Sequence, residues 1–197
     1  NKRSLCLDLK QGAGVDAFLR LAATADVILE GFRPGVVDKL GIGYQAVAEL
    51  NPRIVYGAIT GYGQDGPYRD RAGHDLNYLG YCGLLDQIGL PGSAPAVPNF
   101  QIGDLLGGSL TALVGVLAGV VDARSSGRGR YVDVSMTDAV FAHTIFPLLA
   151  VLGLGHALPR GEDVLSGGMP SYGVYATSDG RHFAVSAMEP KFWQGFC

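Results

Sequence analysis

Short strand-like runs and segments of helical spacing follow one another in turn through the first sixty residues, and this order limits the possible folds more than any other feature. The strand-like runs are Ser4–Leu9, Ala25–Leu29 and Arg53–Thr60. Between them, Val15–Ala23 and Gly43–Leu50 carry apolar residues at helical spacing. Strands and helices in alternation predict an α/β fold, with a Rossmann-like parallel sheet and helices on both of its faces.

Ligands of such sheets bind at the carboxyl ends of the strands, so the loops at that edge form the predicted site. These loops are Glu30–Pro34 and Gly61–Pro67, with the residues that follow them. The glycines of the second loop also have the Gly-x-Gly-x-x-Gly spacing of a dinucleotide-binding fingerprint. A proline follows at once, however, and the expected helix with its acidic partner is not evident, so this fingerprint is a weak signal.

The second half of the chain is expected to complete the sheet and then begin a second domain. Leu105–Val121 predicts a buried core helix, because glycines interrupt it and it is shorter than the roughly 20 residues of a membrane span. The remaining segments are a strand at Tyr131–Val134, a helix at Thr137–Leu152, a linker at Gly153–Ser171 and a hairpin at Gly173–Tyr175 and His182–Ala187. The predicted bounds are 1–133 for an α/β large domain, 134–172 for a helix and linker, and 173–197 for the start of a smaller domain.

The net charge of −3 argues against a nucleic-acid partner, which requires a basic field. Basic residues are nevertheless frequent near the start of the chain. They are Lys2, Arg3, Lys10, Arg33 and Lys39. This clustering fits a phosphate-bearing ligand and fits an ordinary solvated surface equally well.

Three cysteines without a CxxC spacing predict neither a disulfide framework nor a zinc site, and they fit a reducing, cytoplasmic compartment. No signal-peptide pattern opens the chain, and no membrane association is expected. A strand-like start and a helix that has just begun at Phe196-Cys197 suggest a piece of a larger protein.

Three titratable residues lie in apolar, glycine-lined settings and are candidates for chemistry: His74, Asp104 and Glu189. Each also has an ordinary structural explanation. His74 fits a hydrogen-bonded loop histidine, Asp104 fits the N-cap of the long helix, and Glu189, with a proline after it, fits a helix start. The local sequence leaves both interpretations of each residue open.

Several blocks along the chain form one joint pattern. They are AGHDLNYLG at 72–80, NFQIGDLLGGSL at 99–110, GRGRYVDVSM at 127–136 and AMEPKFW at 187–193. Together they resemble blocks of the α-methylacyl-CoA racemases, within the family III CoA-transferase (CaiB/BaiF) superfamily. The segments KRSLCLDLK, ADVILEGFRPGVVDKLG and ITGYGQDGPY are similar to blocks found across that superfamily. The resemblance covers the whole chain in the family's order, and it implies the family III CoA-transferase fold with a partial chain.

The resemblance implies a role for each matching residue. His74 and Asp104 match the two catalytic acid/base groups, and Glu189 matches the glutamate that pairs with the histidine. The positions that match the family's ligand-lining segments are Leu7, Asp8, Leu9, Lys10, Gly31, Phe32, Arg33, Lys39, Gly73, Asp75, Leu76, Asn77 and Tyr78. The resemblance further implies an acyl-CoA substrate, no metal, and no cofactor beyond the coenzyme A moiety of the substrate. It also implies an interlocked homodimer, in which Glu189 acts in its own subunit or across the interface.

The activity that the resemblance implies is the interconversion of (R)- and (S)-2-methylacyl-CoA thioesters through an enolate. His74 and Asp104 would serve opposite faces of the α-carbon as acid and base. Two alternatives stay open. One is CoA transfer, in which the Asp104 carboxylate is a nucleophile that forms an anhydride and then a thioester with coenzyme A. The other is an inactive acyl-CoA-binding fragment.

Overall fold

The computed structural model describes residues 2–197 and divides into two compact units. The first unit contains the chain up to Leu79 together with Gln101–Val140, and the second contains Gly80–Phe100 and Phe141–Cys197. These units do not coincide with the predicted segments, because residues 80–100 pack with the C-terminal part of the chain. The division into functional domains at 1–133, 134–172 and 173–197 stays a prediction.

A three-stranded parallel sheet forms the centre of the first unit, as the alternation predicted. Its strands are β1 (Val27–Glu30), β2 (Val55–Thr60) and β3 (Arg130–Ser135), in the order β1-β2-β3. β2 is the central strand and is buried at every position except Ile59, which is half-buried. All three strands run the same way, so their carboxyl ends lie along one edge of the sheet.

Helices cover both faces of this sheet, which confirms the predicted fold class. Those that belong wholly or mainly to the first unit are α1 (Gly12–Ala22), α2 (Val36–Lys39), α3 (Tyr44–Leu50), α4 (Asp75–Tyr81), a π-helix (Gly103–Leu110), α5 (Thr111–Ser126) and α6 (Met136–Ala142). Ala22 of α1 and Val47 of α3 pack with Tyr56, whereas Val116 of α5 packs with Val55. Because neighbouring strand residues point to opposite faces, these two clusters lie on opposite sides of β2.

Glycine allows α5 to approach the sheet closely. A Cβ atom at Gly119 would lie 2.9 Å from Cγ1 of Val55, and one at Gly115 would lie 2.7 Å from Cγ1 of Val132. Both distances are shorter than ordinary carbon contacts, so a side chain at either position would push the helix off the strands.

The helical stretch Gly103–Ser126 is long and apolar enough to cross a membrane, by length and composition alone. Its buried face packs on β2 and β3, and its other face carries exposed apolar side chains. These side chains are Leu113, Val114, Leu117 and Val121. The packing on the sheet is that of a core helix, although one face is not covered within the described chain.

The second unit contains a two-stranded antiparallel hairpin, as predicted. Its elements are a 3-10 helix (Leu84–Gln87), α7 (Ile145–Leu154), β4 (Tyr172–Ala176), β5 (His182–Ser186) and α8 (Pro190–Phe196). Arg160 joins its own loop to the 3-10 helix and to the loop that follows that helix. Its guanidinium donates hydrogen bonds to the carbonyl oxygen of Asp86 (2.6 Å), to the carboxylate of Asp86 (2.8 Å) and to the carbonyl oxygen of Ser93.

Three predicted elements were wrong in detail. Ser4–Leu9 is not a strand, because no other described strand lies beside it to accept its backbone hydrogen bonds. The long helix begins at Gly103 rather than Leu105, and its first eight residues are π-helical. The predicted helix Thr137–Leu152 is two helices, α6 and α7. Pro147 lies in the first turn of α7, where its ring prevents a continuous helix back through residue 143.

Replacing Gly119 with leucine tests the close approach of α5. Gly119→Leu should lower the free energy of unfolding by about 1–3 kcal/mol, because the added side chain meets Val55. The urea midpoint of the protein measures this change. Gly153→Leu in α7 is the matched control, since no described atom lies within 4 Å of a Cβ there and leucine is the better helix former. An equal loss in both variants would contradict the close packing.

Candidate active site

A pocket of about 490 Å³ opens at the carboxyl edge of the parallel sheet, and we call it the carboxyl-edge pocket. Its walls come from the loops after β1 and β2, the two loops that the sheet topology predicted. The predicted catalytic residue His74 lines it. The predicted ligand-binding residues that line it are Gly31, Phe32, Arg33, Lys39, Gly73 and Tyr78. Residues from separate parts of the sequence therefore converge on one cavity within the first unit.

Tyr78 fixes the loop that carries His74. Its side chain is only 6% exposed, and its hydroxyl donates a 2.6 Å hydrogen bond to the carbonyl oxygen of Gly73. A Cβ at Gly73 would lie 2.6 Å from the hydroxyl oxygen of Tyr62 and 2.8 Å from Cε1 of Tyr78, so only glycine fits between the two rings. The backbone N–H of His74 donates to Oδ1 of Asn77 at 3.0 Å. These contacts hold His74 in place while its side chain stays exposed.

Asp104 lies in the first turn of the π-helix and is not its N-cap, which corrects one of its two sequence interpretations. Ile102 occupies the cap position. The capping carboxylate is instead that of Asp75, whose Oδ1 accepts the backbone N–H of Asp104 at 2.9 Å. The start of α4, which follows His74 directly, is thereby joined to the start of the π-helix.

Two hydroxyl groups support the unusual geometry of the π-helix. The hydroxyl of Ser109 donates to the carbonyl oxygen of Asp104 at 3.1 Å, and that of Thr111 donates to the carbonyl oxygen of Leu106 at 2.9 Å. Both bonds reach back five residues, as the backbone bonds of a π-helix do. Such turns occur frequently at functional sites, which is compatible with the chemistry predicted for Asp104.

The environment of Asp104 favours its protonated form. The residue as a whole is solvent-accessible, but its carboxyl is partly desolvated, and this desolvation is the main cause of a raised pKa. The neighbouring carboxylate of Asp75 raises the pKa of Asp104 further, whereas the imidazole of His74 lowers it. The two predicted acid/base groups thus lie close enough to influence each other.

The other predicted site residues lie outside the carboxyl-edge pocket. Leu7, Asp8, Leu9 and Lys10 precede α1 and do not line it. In that segment Oδ1 of Asp8 accepts the backbone N–H of Lys10 at 3.0 Å. Leu76 and Asn77 lie in the first turn of α4, beside Asp75.

Glu189 belongs to the second unit, where it is the exposed N-cap residue of α8. A proline occupies the first position of that helix, so the helix-start interpretation is confirmed. The pairing of Glu189 with His74 stays a prediction.

Sequence reasoning missed two cations of the carboxyl-edge pocket, Arg69 and Arg71. Their signal was available, because both follow the predicted loop Gly61–Pro67 directly and precede His74 by a few residues. No group of three or more His, Cys, Asp or Glu side chains within residues 2–197 has the arrangement of a metal site.

Comparison with known sequences identifies relatives of two activities. Residues 1–197 match the family described as CoA-transferase family III. The alpha-methylacyl-CoA racemase of Mus musculus is 40% identical over 193 residues, which cover 98% of this chain and 50% of the relative. The succinyl-CoA–L-malate CoA-transferase alpha subunit of Chloroflexus aurantiacus is 31% identical over 195 residues, with coverage of 98% and 45%.

A solved structure agrees with the fold. The crystal structure of a CaiB/BaiF family protein from Brucella suis matches with a TM-score of 0.83 and 28% sequence identity, over 94% of this chain and 48% of that one. The chain spans about half the length of the curated relatives that it matches.

Replacing Asp75 with asparagine tests its influence on Asp104. The amide oxygen of asparagine still accepts the Asp104 N–H, but the negative charge is gone. Because a nearby carboxylate disfavours ionisation, its removal should lower the pKa of Asp104. A ¹³C NMR titration of the labelled aspartate carboxyl groups measures this pKa, and Asp104→Asn assigns the signal.

Asp138→Asn is the control for this experiment. It removes an equal charge from α6, and Asp138 does not shift the pKa of Asp104. The Asp104 signal should therefore titrate as in the unmodified protein. An unchanged or raised pKa of Asp104 in Asp75→Asn would show that the carboxylate of Asp75 does not act on it.

Proposed function

We infer that this chain, which belongs to CoA-transferase family III, is part of an enzyme that racemises 2-methylacyl-CoA thioesters through an enolate. The observation that carries the proposal is the neighbourhood of His74, which lines the carboxyl-edge pocket, and Asp104, which is hydrogen-bonded to the next residue, Asp75. Racemisation requires two groups that accept a proton from the α-carbon or donate one to it, and an imidazole and a carboxyl group can both do so.

The proposed reaction replaces one α-proton with another and changes no oxidation state. One of the two bases takes the proton from the α-carbon, and the C–H electron pair passes into the enolate. The other group, in its acid form, donates a proton to the opposite face and so forms the new C–H bond. The roles of His74 and Asp104 exchange with the direction of the reaction.

The raised pKa of Asp104 supports this role. A carboxyl with an ordinary pKa is almost fully ionised near neutral pH and is a poor proton donor. Desolvation and the carboxylate of Asp75 bring the pKa of Asp104 closer to neutrality, where acid/base catalysis is most effective. A carboxylate nucleophile would gain nothing from the protonated form.

The enolate oxygen requires a hydrogen-bond donor, and the backbone at the start of α4 supports an assignment. The N–H of His74 is already donated to Asn77. We assign the donor to the next amide, that of Asp75, which lies at the first position of the helix, where N–H groups have no helical partner. Loss of one such donor typically costs about 10²–10³ in rate.

The second candidate is CoA transfer, which the similarity to the Chloroflexus aurantiacus subunit favours. In that reaction the carboxylate of Asp104 attacks the thioester carbonyl and displaces the coenzyme A thiolate, forming a mixed anhydride. The thiolate then attacks the aspartyl carbonyl, which releases the first acid and leaves a thioester for the acceptor acid. Transfer requires no partner histidine, so His74 favours racemisation.

We propose in addition that the racemase is an interlocked homodimer and that it lies in the cytoplasm.

Deuterium exchange separates the two activities. The full-length protein should incorporate deuterium at C2 of a 2-methylacyl-CoA in D₂O without any acceptor acid, which mass spectrometry measures. Transfer of coenzyme A to an added carboxylic acid, without exchange at C2, would support the transferase instead. Absence of both exchange and transfer, with coenzyme A still bound, would support a binding module.

Removal of either base should stop racemisation. His74→Ala and Asp104→Ala should each lower the rate at which one enantiomer is converted into the other, followed by circular dichroism, by at least about 10²-fold, because inversion requires a proton carrier on each face. The affinity for coenzyme A, measured by calorimetry, should stay within a few-fold. His156→Ala and Asp138→Ala are matched controls away from the pocket and should racemise the substrate normally. A fully active Asp104→Ala protein would refute the mechanism.

A further inference from the structure

The carboxyl-edge pocket carries more positive charge than its own acidic residues can balance. Arg33 and Lys39 line it from the loop after β1, and Arg69 and Arg71 line it from the loop after β2. Asp70 is the one acidic residue of its lining. Within residues 2–197, neither Arg33, Lys39 nor Arg71 forms an ion pair.

Asp70 does little to neutralise this charge. Its carboxylate is 83% exposed and lies 3.7 Å from the guanidinium of Arg69. Solvent screens such an exposed pair, so it contributes little. Four cations thus share one cavity without an effective counter-charge among its lining residues, and an anionic ligand would relieve their mutual repulsion.

Arg69, one of the two arginines that sequence reasoning missed, lies close to the loop after β1. The guanidinium of Arg69 reaches the loop after β1, where its Nη2 lies 3.4 Å from the place that a Cβ of Gly35 would take. Gly35 has a φ of 78°, a conformation that glycine adopts readily and that leaves room for the guanidinium. Arg69 therefore brings its charge beside the loop that supplies Arg33.

Arg71 is held by a chain of aromatic rings. Its guanidinium lies over the ring of Tyr68, 4.9 Å from the centroid, and Tyr68 contacts Tyr62 at 5.7 Å. Tyr62 in turn meets Tyr78, the residue that fixes the His74 loop, at 5.3 Å between centroids. Such stacking restricts the guanidinium and lowers the entropy that it loses on binding a ligand.

We propose that Arg69 and Arg71 bind a phosphate group of the coenzyme A nucleotide, together with Arg33 and Lys39. This inference rests on the proposed function, which supplies coenzyme A as the ligand. Guanidinium groups match phosphate oxygens with two parallel hydrogen bonds, which a lysine cannot do. Coenzyme A offers this chemistry twice, in its diphosphate and in its 3′-phosphate. His74 lines the same pocket, so phosphate binding there helps to position the thioester.

Calorimetric titration of the full-length protein with coenzyme A tests the proposal. Arg69→Gln and Arg71→Gln should each weaken coenzyme A binding by about tenfold or more, the loss typical of a charge-assisted contact. Arg69→Lys should lose less affinity for coenzyme A than Arg69→Gln, because lysine keeps the positive charge but cannot form the two parallel hydrogen bonds of a guanidinium. Arg124→Gln is the matched control, because Arg124 lies in the last turn of α5, outside the carboxyl-edge pocket, and should bind normally.

Two shorter ligands identify the phosphate. If the arginines bind the 3′-phosphate, the variants should bind 3′-dephospho-CoA as well as the unmodified protein does. If they bind the diphosphate, the variants should lose the same factor of affinity for coenzyme A and for 3′-dephospho-CoA. Either pattern supports the proposal, provided that pantetheine, which has no phosphate, binds all variants alike.

Other results overturn it. Unchanged coenzyme A affinity in Arg69→Gln and Arg71→Gln would refute the inference and leave the proposed function intact. An equal loss of pantetheine affinity would show general damage to the pocket and would also refute it. An unmodified protein that binds no coenzyme A would refute the proposed function itself, and the inference with it.

Discussion

The hydrogen bond from the backbone N–H of Asp104 to the carboxylate of Asp75 is the contact on which the site depends. It joins the start of α4 to the start of the π-helix, although 29 residues separate the two partners in the sequence. It also places the carboxylate of Asp75 beside Asp104. Desolvation is the main cause of the raised pKa of Asp104, and the charge of Asp75 raises that pKa further. This contact therefore fixes where Asp104 lies and contributes to how readily it holds a proton. His74 takes its position from the same helix start.

Much of the first unit followed from periodicity. β1, β2 and β3 were predicted because buried parallel strands are short, apolar and rich in β-branched residues. The loops of the carboxyl-edge pocket were predicted because parallel strands share one carboxyl edge. The family was recognised from blocks of sequence and is confirmed by the family match over residues 1–197. The local sequence left a structural and a catalytic interpretation of His74 and Asp104 open. It was the family resemblance that favoured the catalytic one.

The errors arose where tertiary contacts decide the outcome. Ser4–Leu9 alternates as a strand does, but a strand also requires a neighbour, which sequence alternation cannot supply. Aspartate is a common N-cap residue, so Asp104 was a candidate cap of the long helix. The carboxylate that accepts an N–H group at the start of this helix is instead that of Asp75, which is far away in the sequence. Arg69 and Arg71 were missed because two arginines in a polar loop look like ordinary solvated charge until the fold brings them beside the residues of another loop.

The π-helix at Gly103–Leu110 has a wider turn than an α-helix, since each bond spans five residues rather than four. The direction in which the Asp104 carboxyl leaves the helix therefore depends on how many residues separate it from α5, as well as on their types. A related chain with one residue fewer in this stretch could keep every motif residue and still aim the carboxyl elsewhere. The spacing between Asp104 and Thr111 therefore matters to the chemistry of this site, in addition to the aspartate itself.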